Sequence, residues 1–343
     1  MKHLQCVEAV ERLARPVGNA RRSWDERRGL ALLFCGAWGT AMGEATPLPG
    51  HSPEPYQLVA RLLSQFVAPR ALPADSERSA LISWLEAFHS AHPELPASAR
   101  CALDSCLLDA ASRCAGVALC EWLAPGAAVR EFERCQLFDL WSAEQAEPAY
   151  GSPVARTLKV KLGKQPTAEL EQLRRLKARW PTRRLRADAN QSLPPEACLN
   201  VLHALGELSI EFLEEPCPLS ELGPARPLPC PLALDESLLR EPELARRWLR
   251  SGHVAAVVLK PMLLGSLART LQWVELARSV GATVIFSHLF DGSIAARLYE
   301  HLARAFGTPG VAAGLGPHPG LQLFAARVTP DAHGLGLGLS WTG

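Results

Sequence analysis

Five charged positions recur along this chain at the pitch of a repeating strand-helix unit. Lys161 closes the run TLKVK, Asp188 closes LRAD, Glu214 stands in IEFLEE, Asp235 in LALDE and Lys260 in AAVVLK, and the steps between them are 27, 26, 21 and 25 residues. Another 27 residues lead to Ser287 in ATVIFS. Each run is short and apolar and ends in a polar or charged side chain. In a parallel β/α barrel every strand C-terminus opens on one face, so side chains at successive ends converge. The spacing therefore predicts a barrel whose mouth carries lysine, acid, acid, acid and lysine in that order.

Eight strand candidates support this: RCQLFDL, RTLKVKL, RRLRAD, LSIEFLEEP, PLALDES, HVAAVVLKP, ATVIFSH and GVAAGLG. Helix-patterned segments such as TAELEQLRRLKARW and IAARLYEHLARAFG separate them, which favours a parallel barrel over a sandwich. A doubly wound open sheet would need a phosphate loop, and neither a G-x-G-x-x-G after the first strand nor a Walker lysine is present. Upstream, RRGLALLFCGAWGTAMGEA reads as two strands joined by a turn around Gly36. A Pro/Gly loop from Pro47 to His51 follows, then helices in YQLVARLLSQFV, ERSALISWLEAFHSA and ASARCALDSCLLDAASRCAG. The expected division is an α+β domain over 1–130, a barrel over 131–320 and a Gly-rich segment over 321–343 that returns toward the first domain.

Formal net charge is +1 with 21% charged residues spread along the chain, which argues against nucleic acid or an anionic membrane as partner. A small molecule is expected, and oligomeric state is left open. Arginine outnumbers lysine 30 to 6, so lysines on strands stand out. The ten cysteines show no C-x-x-C and no paired zinc spacing, and they read as small buried hydrophobes. With no signal peptide and no long apolar stretch, a reducing cytosol is the expected compartment.

Lys159 and Lys161 are two apart and leave one face of their strand. Inside a barrel, their mutual repulsion and partial desolvation would lower one pKa and make a base; the alternative is a solvated pair on an exposed edge. Acids at three successive strand ends supply hard oxygen ligands suited to Mg²⁺. Which neighbour of Glu214–Glu215 and of Asp235–Glu236 points inward is open at this level. Asn190 shares a strand face with Asp188 and is placed to hold a ligand from behind.

The ordered motifs K-x-K, D-x-N, E-E-P, D-E-S and K-P, from Lys159 to Pro261, resemble those of the enolase superfamily, in its muconate-lactonizing-enzyme-like branch. GTAMGEATPLPGHSPE, FLEEPC, LDESLLREP and VVLKPMLLGSL are similar to segments of the o-succinylbenzoate synthase family, and the resemblance covers roughly residues 28 to 320. It implies an α/β fold, an enolase-like modified (β/α) barrel with an N-terminal α+β capping domain. It also implies a Mg²⁺ site at Asp188, Glu214 and Asp235, with Mn²⁺ as a substitute, and a small-molecule carboxylate substrate. The implied reaction is syn-dehydration of 2-succinyl-6-hydroxy-2,4-cyclohexadiene-1-carboxylate to 2-succinylbenzoate, a step of menaquinone biosynthesis. Lys161 would serve as base and then acid, Lys260 would stabilise the enediolate, and Lys159 would support Lys161 or touch the substrate carboxylate. Arg186, Ser287 and Gly314 would contact substrate, and Pro49, Gly50 and His51 would lie near it.

Two departures accompany the match. His51 stands where the family more often has an aromatic residue, and FSHLFDGS replaces a serine-rich, glutamate-containing stretch. Rival expectations are an N-succinylamino-acid racemase or dipeptide epimerase on the same scaffold, and a non-catalytic binding protein.

Overall fold

The computed structural model describes residues 4–18, 22–66, 77–138, 140 and 155–343. Val67, at the end of the first expected helix, and Asp139, in the first expected barrel strand, lie outside them.

Leu30 to Phe34 are buried on both strand faces, which requires a central strand. They belong to β2 (Ser23–Gly36), flanked by β1 (Leu4–Gly18) and β3 (Gly39–Ala45) in an antiparallel sheet of order β1-β2-β3. Two strands were expected here and three are found. β1 was missed because LQCVEAVERLAR is rich in good helix formers, and only pairing along β2, from Leu4 opposite Phe34 to Arg12 opposite Glu26, makes it a strand. Helices α1 (Tyr56–Ser64), α2 (Arg78–Ala91), α3 (Ala97–Cys114) and α4 (Leu119–Leu123) follow. α3 is buried over nearly its whole length. It lies so close to β3 that a Cβ on Gly43 would fall 1.9 Å from the Ala102 carbonyl oxygen.

The second layer is a parallel sheet of seven strands: β4 (Gln136–Phe138), β5 (Thr157–Lys161), β6 (Arg184–Asp188), β7 (Phe212–Glu214), β8 (Leu232–Leu234), β9 (Val254–Leu259) and β10 (Thr283–Phe286). Around it run α5 (Pro166–Arg179), α6 (Pro195–Glu207), α7 (Leu219–Leu222), α8 (Ser237–Arg240), α9 (Pro242–Arg250), α10 (Pro261–Leu264), α11 (Leu267–Ser279) and α12 (Ser293–Phe306). α5, α6, α9 and α10 begin with proline, whose fixed φ and missing N–H suit a first helical position.

GVAAGLG, expected as an eighth strand, forms only single bridges, Ala313 to Arg134 and Gly314 to Ser287. Those bridges join the two sheet edges: Cys135 N–H donates to Ala313 O (2.7 Å) and Gly314 N–H to Phe286 O (2.8 Å). Gly316 lies so close to the other edge that a Cβ there would sit 2.4 Å from the Cys135 carbonyl oxygen. The ring is filled by Phe212, Ala233, Ala256, Val258 and Ile285. The result is an enolase-like modified (β/α) barrel with an N-terminal α+β domain.

Carboxylates from the N-terminal elements cap two barrel helices. Glu44 accepts from Gly292 N (2.6 Å) and Ala295 N (3.0 Å) at the start of α12, and Asp104 from Leu267 N (2.7 Å) at the start of α11. The chain ends in β11 (Val328–Pro330) and β12 (Leu339–Trp341). This tail returns to α3 and α4: Leu337 N–H donates to Asp109 (2.8 Å) and Leu119 N–H to Gly336 O (2.7 Å). Among the described residues no helix is long and apolar enough to cross a membrane.

Candidate active site

Strand register brings the charged side chains together. Lys161 pairs with Asp188 across β5 and β6, and Asp188 with Glu214 across β6 and β7. The three stand in one row at the C-terminal rim and face inward together. Asp235 follows β8 directly and Lys260 follows β9. Counting around the sheet, β9 is four strands from β5, so Lys260 enters from the opposite side of the mouth.

The lysines fold over the carboxylates. Lys159 Nζ donates to Glu214 Oε2 (2.7 Å) and Oε1 (2.8 Å) and pairs with Asp188 Oδ2 at 2.7 Å. Lys161 Nζ donates to Asp188 Oδ2 (2.5 Å) and Asn190 Oδ1 (2.8 Å), and Lys260 Nζ to Asp235 Oδ2. Asn190 in turn donates Nδ2–H to Glu236 Oε1 at 3.0 Å.

For Glu214 and Glu215 the choice left open is decided by backbone direction, whereas Asp235 and Glu236 both join the cluster. Glu214 faces Lys159. Glu215, at φ +45°, turns the other way and accepts from Asp235 N (2.7 Å), Ser237 N (2.9 Å), Ser237 Oγ (2.7 Å) and Gln191 Nε2 (2.7 Å). It pins the turn from β8 into α8. Burial and the nearby Glu236 charge push it up to about 7.

The lysine electrostatics differ from expectation. Burial opposes charge on Lys159 and Lys260, but the surrounding carboxylates overrule it and raise both above the ordinary lysine range. At Lys159 the two carboxylates it bridges, Asp188 and Glu214, are the influences that raise it. Burial likewise opposes charge on Asp188, yet Lys159, Lys161 and Lys260 hold it well below the usual carboxylate range. Burial, with Glu236 and Glu214 close by, pushes Asp235 up despite Lys260.

A metal site on the three carboxylates Asp188, Glu214 and Asp235 was expected. Among the described residues no group of three or more His, Cys, Asp or Glu side chains is arranged ready to hold a metal, because ammoniums fill the space between the acids. The donor set nevertheless fits a divalent cation. The acids are hard oxygen ligands, and the Lys159 ammonium occupies the meeting point of Asp188 and Glu214 as a positive stand-in. The cluster also holds more acids (Asp188, Glu214, Asp235, Glu236) than lysines, which adds to the effect of burial on Asp235.

Above the cluster lies a cavity of about 720 Å³, part of it open to solvent, lined by Lys159, Lys161, Asn190 and Lys260 below and by Trp24, His51, His288, Phe290 and His318 on the walls. Ser287 and Gly314 also line it, with Ser287 Oγ donating to Gly314 O at 3.1 Å. Arg186 does not. It pairs with Lys159 and Phe212 in the barrel register, two residues and ~7 Å deeper than Asp188. Its guanidinium is engaged by Glu211 Oε2 (2.6 Å) and Ala312 O (2.7 Å) over the Phe212 ring. These partners hold the guanidinium at that depth, whereas Lys159, at the same register level, extends its stem to Asp188 and Glu214 at the rim.

Of the capping loop, Leu48 and His51 reach the cavity, and the Pro49 carbonyl accepts from Trp24 Nε1 at 3.0 Å. Burial, reinforced by Lys260, pushes His51 down to about 4. Sequence reasoning missed Trp24, His288, Phe290 and His318. The departure at FSHLFDGS was the one signal pointing to two of them.

Residues 141–341 match the family described as enolase C-terminal domain-like. An o-succinylbenzoate synthase from Haemophilus influenzae is 31% identical over 157 residues, covering 44% of this chain and 46% of that protein. An L-Lys-D/L-Arg epimerase from Methylococcus capsulatus is 31% identical over 221 residues, covering 62% of this chain and 61% of the relative. The matches thus span less than two thirds of either relative. Among solved structures, the dipeptide epimerase from Methylococcus capsulatus complexed with Mg and the dipeptide L-Arg-D-Lys gives a TM-score of 0.81 at 24% identity, over 99% of this chain and 100% of that one. A muconate lactonizing enzyme from Pseudomonas fluorescens complexed with muconolactone gives 0.80 at 20% identity, over 99% and 96%. At these identities the likeness shows the fold.

Proposed function

The chain belongs to the enolase C-terminal domain-like family, and from that membership we propose that it is an o-succinylbenzoate synthase, a Mg²⁺-dependent dehydratase of 2-succinyl-6-hydroxy-2,4-cyclohexadiene-1-carboxylate. The observation that carries the choice is the cavity wall. Among the described residues no Asp or Glu lines the cavity. A cationic dipeptide would bring ammonium groups into a space whose acids are already committed at the floor. A dianionic acid brings none, and three lysines favour it.

Asp188, Glu214 and Asp235 would hold the cation, with Asn190 orienting Asp188 and Lys161. When bound, Mg²⁺ supplies a Lewis acid for the substrate carboxylate. Lys161 stands at the open rim against Asp188 and Asn190, and Lys260 stands across the mouth against Asp235, so the two amino groups approach the substrate from opposite sides. Lys161 takes the α-proton of the diene acid on its Nζ, and negative charge grows on the carboxylate oxygens. Lys260, across the mouth, stabilises that charge. Lys161 then returns its proton to the departing hydroxyl on the same face, releasing water and leaving an aromatic ring. Lys159 supports Lys161 or touches the substrate carboxylate, and Ser287 and Gly314 contact substrate. In this reading residues 1–130 cap the mouth, 131–320 carry the catalysis and 321–343 tie the two together; the protein works in the cytoplasm.

The test is loss of the cyclohexadiene absorbance with purified protein and Mg²⁺, with an EDTA control. Rapid EDTA-sensitive loss is expected. No loss from folded, metal-loaded protein overturns the dehydratase. α-Proton exchange of an N-succinylamino acid in D₂O would then identify a racemase, which shares the acid-free wall.

A further inference from the structure

Most polar side chains on the cavity wall are already engaged. Lys159, Lys161 and Lys260 are tied to the floor carboxylates, Asn190 donates to Glu236, Ser287 to Gly314 O and Trp24 to Pro49 O. The remaining polar groups are imidazoles. His288 and His318 lie face to face, with ring centroids 3.9 Å apart and 32° between planes, and Phe290 meets His318 edge-on at 5.8 Å.

The tautomer of His288 follows from one contact. Phe290 N–H donates to His288 Nδ1 at 3.1 Å, so Nδ1 carries the lone pair and the proton of the neutral ring sits on Nε2. Among the described residues Nε2 has no hydrogen-bond partner. His288 lines the cavity and is half-buried, so this N–H faces the space a substrate fills. Burial and the adjacent His318 hold His288 well below the usual imidazole range, and burial holds His318 down to about 3. Both rings are therefore neutral at ordinary pH.

We propose that His288, backed by His318, is a specificity-determining donor: its Nε2–H hydrogen-bonds an oxygen on the part of the substrate that the floor carboxylates do not hold, and so selects acids bearing a second carboxylate. An ammonium, with only hydrogens to offer, would meet that N–H head-on. The assignment rests on the dehydratase reading for its choice of ligand, while the donor geometry is independent of it.

Binding, not turnover, tests it. Mg²⁺-loaded protein is titrated calorimetrically with 2-succinylbenzoate and with 2-butanoylbenzoate, which replaces the distal carboxylate by a methyl group. His288→Phe keeps the aromatic stack and removes the N–H. It should weaken 2-succinylbenzoate about tenfold, the worth of one hydrogen bond to a charged acceptor, and leave 2-butanoylbenzoate within about twofold. His288→Gln, which places an N–H near the position of Nε2, should restore most of the difference and serves if the Phe variant fails to fold. Equal weakening of both ligands, no weakening of either, or a wild-type protein that does not prefer 2-succinylbenzoate would overturn the inference. The two readings separate cleanly. Wild type that shows the His288-dependent preference but leaves the diene untouched keeps this inference and loses the dehydratase, and active wild type without the preference does the reverse.

Discussion

Lys159 and Lys161 leave one face of a single strand, yet they do different things because their partners differ. Lys159 bridges Asp188 and Glu214, while Lys161 reaches Asp188 and Asn190 at the open rim. If Lys161 moves the proton and Lys260 stabilises charge opposite it, Lys161→Ala and Lys260→Ala should each reduce kcat by roughly 10²–10⁴-fold with thermal unfolding of the Mg²⁺-loaded protein little changed. Activity retained in either variant would end the two-lysine mechanism. If Asp235 holds the cation, Asp235→Asn should weaken Mg²⁺ at least about tenfold in a calorimetric titration, since it would remove one of the three proposed charged ligands; unchanged affinity would point to Glu236. At this scale the sequence was informative about which residue types meet, because strand alternation and parallel register are local rules. It was silent on depth. Arg186 has the right parity to face inward but sits a layer too low, and nothing in LRAD distinguishes a rim residue from one beneath it.

The turn from β8 into α8 shows what an element needs to aim a side chain into the barrel mouth. Glu215 collects four donors, among them the backbone N–H groups of Asp235 and Ser237. Glu215→Ala would orphan these buried groups, and at 1–3 kcal/mol for an unmet partner a loss of about 3 kcal/mol is expected in urea unfolding. Glu215→Gln should cost less, because its carbonyl oxygen can still accept. A variant as stable as wild type would show that the turn is held by something else. The paired acids could not be separated from sequence because the decisive quantity, a positive φ at Glu215, is a backbone conformation set by the strand exit. The eighth expected strand was not separable from sequence either: GVAAGLG has strand-like alternation but forms only single bridges.

Over the whole molecule, the N-terminal domain is attached to the barrel by buried charge. Glu44 caps α12, Thr46 Oγ1 donates to Glu44 Oε1 (3.0 Å) and Asp291 Oδ1 (2.9 Å), and Arg27 donates to Phe290 O at 2.9 Å. Burial, with the Asp291 charge beside it, raises Glu44 from 4.5 to about 7. Because the folded pKa lies above the unfolded one, this group's stability contribution is fully present below about pH 4.5 and is lost as pH rises through 7. Glu44→Gln should therefore flatten the stability-pH curve between about 4.5 and 7, removing a slope worth about 3 kcal/mol at most. A curve unchanged by the substitution would place the titration elsewhere. The order of the candidate side chains, their strand pitch and the longer helices between them were legible in the sequence, since hydrophobic periodicity and backbone alternation act over a few residues. The tertiary structure alone decided the third N-terminal strand, the depth of Arg186, the lysine charge states and the imidazole pair on the cavity wall. Each depends on burial and on partners distant in sequence, and burial is a property that only the packed chain possesses.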